Sequence, residues 1–127
     1  MNLQSPQTIL IVDDDPSITD TFTRLLQLEG FTVYAALSPE GGLRIAADKR
    51  PDTIILDLRM PILTGLQFLQ HLRKTPALRH TPVAIVTGDY FIDDSSTSEI
   101  EALGASVLFK PLWLEDLLAL ARGLTAA

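Results

Sequence analysis

Ile9–Ile18 reads ILIVDDDPSI: four apolar residues run straight into three aspartates and a proline. A continuous, β-branched apolar run is the pattern of a strand covered on both faces, as in a parallel sheet. A helix start follows at once, because Asp15 suits an N-cap and Pro16 the first helical position. Downstream, Ile18, Phe22, Leu25 and Leu26 share one helical face, and Gly30 suits the stop. Strand, tight junction and amphipathic helix are the repeating unit of an α/β fold. The junction itself is electrostatically costly, since clustered carboxylates repel unless a cation joins them.

Three further runs look like the first: TIIL (Thr53–Leu56), VAIV (Val83–Val86) and SVLF (Ser106–Phe109). A fifth, FTVYAA from Phe31 to Ala36, alternates instead, as an edge strand with one partly wet face does. Helical patterns separate them. One spans about Pro39 to Arg50, weakened by Gly41 and Gly42. Another starts near Thr64 with Leu66, Leu69 and Leu72 in step, Phe68 beside them. The last follows Pro111, with Leu114, Leu117, Leu118 and Ala121 on one stripe. Between Thr87 and Ser106 only Ile100, Ala102 and Leu103 anchor a serine-rich segment, which predicts a short, mobile helix. The expectation is a doubly wound, five-stranded parallel sheet, order 2-1-3-4-5, flavodoxin-like, with right-handed crossovers and helices on both faces.

The 127 residues predict one domain, with short tails at about 1–7 and 123–127. A net charge of −6 without a basic patch argues against nucleic-acid binding and against an anionic membrane. Arg44, Lys49 and Arg50 are close in sequence but lie among neutral and acidic residues. With no cysteine there is neither a disulfide nor a thiolate metal site. No apolar run is long enough to span a membrane and the opening lacks a signal-peptide core, so a cytoplasmic location is expected.

In parallel α/β sheets function collects at the carboxyl ends of the strands. Those ends supply Asp13 and Asp14, then Asp57, then Thr87, then Lys110. Three carboxylates, a hydroxyl and an amine on one rim suit a hard, oxygen-seeking cation such as Mg²⁺.

The ordered set ILIVDDDP, IILDLRMP around Asp57, VTG at Thr87 and FKP at Lys110 resembles the receiver domain of two-component response regulators, over about Thr8 to Leu120. The resemblance implies that Asp57 takes a phosphoryl group from a phosphohistidine on a histidine kinase or histidine phosphotransfer protein. It implies Mg²⁺ held by Asp13, Asp14, Asp57 and the backbone carbonyl of Arg59. Thr87 and Lys110 would each hold a phosphoryl oxygen, Lys110 aimed by a cis bond to Pro111. The signal would leave through the last strand and its two flanking helices, roughly Ser95 to Leu120. The receiving partner would be a downstream protein, an output domain or a second copy in a homodimer.

Departures are as informative. Val107 stands where the family often has a switching aromatic, and Phe109 is on the same strand face but not at that site. An exit through the loop after Thr87 and the weak fourth helix is the alternative. Thr64 replaces a frequent acidic residue, and Arg59 is a large cation where the family tunes phosphate lifetime. Asp15 is read as a cap, His71 and His80 as solvated, Trp113 as core or else a partner-facing anchor, and Tyr90 with Phe91 as a binding surface. A rival reading is a haloacid-dehalogenase-like phosphatase. Asp13 would then be the nucleophile of an Asp13-x-Asp15-x-Ser17 pattern, with Gly88, Asp89, Asp93 and Asp94 as its late acidic cluster. Chain length, the late position of Lys110 and an idle Asp57 count against it. The third reading is a receiver-like docking module that is never phosphorylated.

Overall fold

A computed structural model of the chain describes residues 7–58, 64–88, 92–110, 115–116 and 118–119. Strands β1 (Thr8–Val12), β2 (Thr32–Ala36), β3 (Thr53–Leu56), β4 (Val83–Thr87) and β5 (Ala105–Phe109) form one parallel sheet. Its order is β2-β1-β3-β4-β5, as the alternating second run predicts. Helices α1 (Pro16–Leu28), α2 (Pro39–Lys49), α3 (Gly65–Lys74) and α4 (Asp94–Ala102) connect the strands. A 3-10 turn over Pro76–Leu78, which the periodicity does not announce, leads from α3 towards β4. Past Lys110, residues Glu115, Asp116, Leu118 and Ala119 are helical, where the last helix is expected.

Period-2 alternation sends each strand's side chains into two cores. On one side Leu10, Val12, Ile54, Leu56, Val83 and Ile85 pack with Ala46 of α2, Phe68, Leu69 and Leu72 of α3, and Ile100 of α4. On the other, Ile9, Ile11, Ile55 and Val86 meet Phe22 and Leu26 of α1, with Leu118 against them. The inner strands β1, β3 and β4 are thus buried on both faces, which is why their sequences are apolar without alternation.

The helix ends follow local chemistry. Asp15 caps α1, its Oδ1 accepting from Ser17 N at 2.9 Å, and Gly30 behind the helix takes φ +95°. Ser38 caps α2. Thr64 and Gln67 form a reciprocal capping box on α3, at 3.2 and 2.9 Å. Asp93 caps α4 through Ser96 N. Gly42, weak as a helix former, has a packing reason: a Cβ there would sit 2.8 Å from Val12 Cγ2. No helix among the described residues is long and apolar enough to cross a membrane.

Candidate functional site

Two aspartates are fixed by the sheet ladder running one residue past its strands. Asp13 N donates to Ala36 O at 3.1 Å and Asp57 N donates to Val12 O at 2.9 Å. Both side chains are therefore delivered, nearly buried, to the carboxyl edge, at 4% and 8% exposure. Asp14, next along the turn, is exposed. Oxygens of Asp13, Asp14 and Asp57 lie within 4.8 Å of one another.

One cation answers them. Lys110 Nζ donates to Asp13 Oδ2 at 2.9 Å and lies 3.7 Å from Asp57 Oδ1. Burial disfavours the ammonium, but the Asp13 hydrogen bond and the charges of Asp57 and Asp13 outweigh it. The balance holds Lys110 above the ordinary lysine value. Its backbone is anchored too, with Lys110 N donating to Thr87 O at 2.8 Å. Thr87 closes β4 between the strands that carry Asp57 and Lys110, and is fully buried. The second Asp13 oxygen accepts from Asp15 N at 3.0 Å, so both oxygens of that carboxylate have partners.

Among the described residues one ammonium faces three carboxylates, so their summed charge is negative. Oxygen is the sole donor type in the cluster, and its exposed member, Asp14, faces water. That donor set fits Mg²⁺, which takes few carboxylates and keeps several waters.

The sequence reading brings together Asp13, Asp14, Asp57 and Lys110, with Thr87 at the neighbouring strand end. Arg59, Asp89, Tyr90, Phe91, Pro111 and Trp113 lie outside the described residues, as do the tails apart from Gln7. Of the phosphatase pattern, Asp15 and Ser17 are exposed and joined to each other in the α1 cap, and Asp93 and Asp94 are exposed at the start of α4. His71 and His80 are exposed, as expected. Gly65 was missed. A Cβ there would lie 2.6 Å from Asp57 O and 2.8 Å from Leu58 Cα, so only glycine lets α3 start against the aspartate's own backbone. The available signal was a glycine in a first turn whose cap, Thr64, already satisfies the helix end.

Residues 9–122 match the family model of the response regulator receiver domain. The transcriptional regulatory protein PrrA of Mycobacterium tuberculosis is 34% identical over 116 residues, 91% of this chain and 48% of its own length. Response regulator MprA of Mycobacterium ulcerans is 36% identical over 119 residues, 91% of this chain and 49% of that protein. The chain thus spans about half the length of the curated relatives it matches. Among solved structures, the chemotaxis response regulator CheY4 of Vibrio cholerae superposes with a TM-score of 0.85 at 31% identity, covering 94% of this chain and 98% of that one. A CheY-like receiver domain protein of Methanospirillum hungatei reaches a TM-score of 0.88 at 26% identity, covering 96% and 95%. Sequence and fold agree over nearly the whole chain: this chain belongs to the receiver domains of two-component response regulators.

Proposed function

We propose that Asp57 is the phosphoacceptor, and that a histidine kinase or histidine phosphotransfer protein supplies the phosphoryl group. The observation that carries this is the buried Asp57 carboxylate with Lys110 Nζ 3.7 Å away and the oxygens of Asp13 and Asp14 within 4.8 Å. An Asp57 oxygen attacks phosphorus, the P–N bond to the donor imidazole breaks, and its electron pair leaves with that ring, giving an acyl phosphate. Such transfer needs positioning and neutralisation of charge on the phosphoryl oxygens more than covalent help. The strand ladder supplies the first by holding Asp57 at its backbone. Lys110, already spanning Asp13 and Asp57, pairs with one phosphoryl oxygen, and the Thr87 hydroxyl donates to another. Asp13, Asp14, Asp57 and the Arg59 carbonyl would hold Mg²⁺, which when bound neutralises phosphoryl charge. Hydrolysis reverses the state: water attacks phosphorus, phosphate departs and the Asp57 carboxylate returns.

The phosphorylated form biases a pre-existing equilibrium of the β5 face and its flanking helices towards a downstream partner, an output domain or a second copy. Val107, half-buried against the α3–α4 side of the core, gives no aromatic rotamer to switch, whereas Phe109 is 42% exposed. The signal is accordingly assigned to Thr87 and α4. The setting is the cytoplasm, where small phosphodonors are available.

Incubation with acetyl phosphate, with and without Mg²⁺, followed by intact mass and peptide mapping, tests the proposal. A metal-dependent adduct on Asp57, absent from Asp57→Asn, is expected. An adduct on Asp13 with turnover would move the protein to the phosphatase class. No adduct from acetyl phosphate or from a phosphohistidine donor would leave the docking module.

A further inference from the structure

At the opposite end of the sheet, where the chain enters β4 and β5, lies a cleft of about 540 Å³. In a chain of net charge −6, its lining holds Arg73, Arg79 and His80 and no carboxylate. Arg73 decides what the cleft is for. Its Nε donates to Leu103 O at 2.7 Å, and its Nη1 donates to Thr81 O at 2.7 Å and to Leu78 O at 3.3 Å. Three of the five guanidinium donors are thereby committed, and the fork is held rigid. Among the described residues no carboxylate pairs with this partly buried cation, and the two Nη2 donors have no partner. They lie close to Gly104, where an added Cβ would stand in van der Waals contact with Nη2 at 3.7 Å, and both residues line the cleft.

A guanidinium fixed on two nitrogens keeps its full charge and two Nη2 donors, which suits contact with a single oxygen of an oxyanion. Arg79 and His80, both exposed, add donors from the loop after the 3-10 turn. Pro82, Ala102 and Leu103 supply an apolar wall. The volume lies within the range of small-molecule sites. We infer that this cleft is a binding site for a small organic phosphate, its phosphate on Nη2 of Arg73 and on Arg79, its organic body against Leu103 and Pro82. The site is separate from the aspartate rim, which lies at the carboxyl ends of the strands, and it does not depend on the proposed phosphorylation of Asp57.

Amide chemical-shift titration tests this in EDTA with Asp57→Asn protein, so that the aspartate rim takes up neither metal nor phosphoryl group. Probes are adenosine monophosphate, inorganic phosphate and adenosine. Saturable shifts at Thr81, Leu103 and Gly104 with the monophosphate are expected, with a Kd of about 1 mM or tighter. Binding should weaken about tenfold or more in Arg79→Glu, whose exposed side chain makes no recorded bond, and also fall in His80→Ala. Three results would overturn the assignment: no saturable shift at Gly104 with either phosphate probe, equal binding of adenosine, or shifts unchanged in Arg79→Glu.

Discussion

Asp13 is held by Asp15 N on one oxygen and by Lys110 on the other, while its neighbour Asp14 stands in solvent beside it. The two residues therefore answer mutation differently. Asp14→Asn removes a repelling charge and breaks no recorded hydrogen bond. It should raise the unfolding free energy in EDTA by about 1 kcal/mol. The same variant should lose the rise in Tm that Mg²⁺ gives the parent protein, and thermal melts with and without the metal read both effects. Lys110 gives a pH signature. Its folded value is raised, so its pairing contributes fully below the unfolded lysine value of about 10.4 and drains away as pH climbs through the higher folded value. Urea unfolding from about pH 8 to about pH 11 should therefore show a steep loss at the alkaline end. Lys110→Met should flatten that loss while lowering stability near neutrality by about 1–3 kcal/mol, because Asp13 keeps its burial without its partner. The sequence shows these side chains as strand-end residues, since apolar runs stop at them. It does not show which carboxylate Lys110 prefers, because that is set by ångström-scale placement of the β5 end.

Among the elements, α3 and α4 are opposites. The first is driven against the sheet by Phe68, Leu69 and Leu72, all fully buried, and starts on the carbonyl of Asp57. Gly65→Ala forces a methyl onto backbone atoms that cannot swing away. It should destabilise the fold by about 1–3 kcal/mol and slow phosphorylation by acetyl phosphate, because the displaced atoms belong to the acceptor itself. A loss of stability with an unchanged phosphorylation rate would show that α3 docking and acceptor placement are independent. Helix α4 has Ile100 as its single buried residue, packed with Phe68, Leu69 and Leu72 of α3, and among the described residues its polar ties to that helix are the bond from Gln70 Nε2 to Glu99 at 2.8 Å and, just past its end, the Arg73–Leu103 contact. Its amides should exchange fastest among α1 to α4. Ile100→Ala should cost about 2–4 kcal/mol, less if the segment undocks locally before the sheet unfolds. A serine-rich run with few anchors predicts this weakness from sequence. The 3-10 turn after α3 is invisible there, because three residues carry no period.

At the scale of the molecule, one sheet divides two cores, one under α1 and the other under α2, α3 and α4. Phe68→Ala and Leu26→Ala cut opposite cores, and each should lower stability by about 3–5 kcal/mol. Because β1, β3 and β4 carry residues of both, each variant should shift one shared unfolding transition rather than splitting it, which circular dichroism and tryptophan fluorescence together would show. The strands to within a residue, the strand order and the three aspartates of the rim are all legible in the amino-acid pattern. Buried parallel strands need unbroken apolar runs, and caps and turn residues mark where each run ends. Tertiary packing alone sets how separate segments meet: the Lys110 bridge to Asp13, the close approach of Gly65 to Asp57, and the guanidinium of Arg73 held by the carbonyls of Leu78, Thr81 and Leu103. Each joins residues of different segments, and no local period encodes the distances at which packing brings them together.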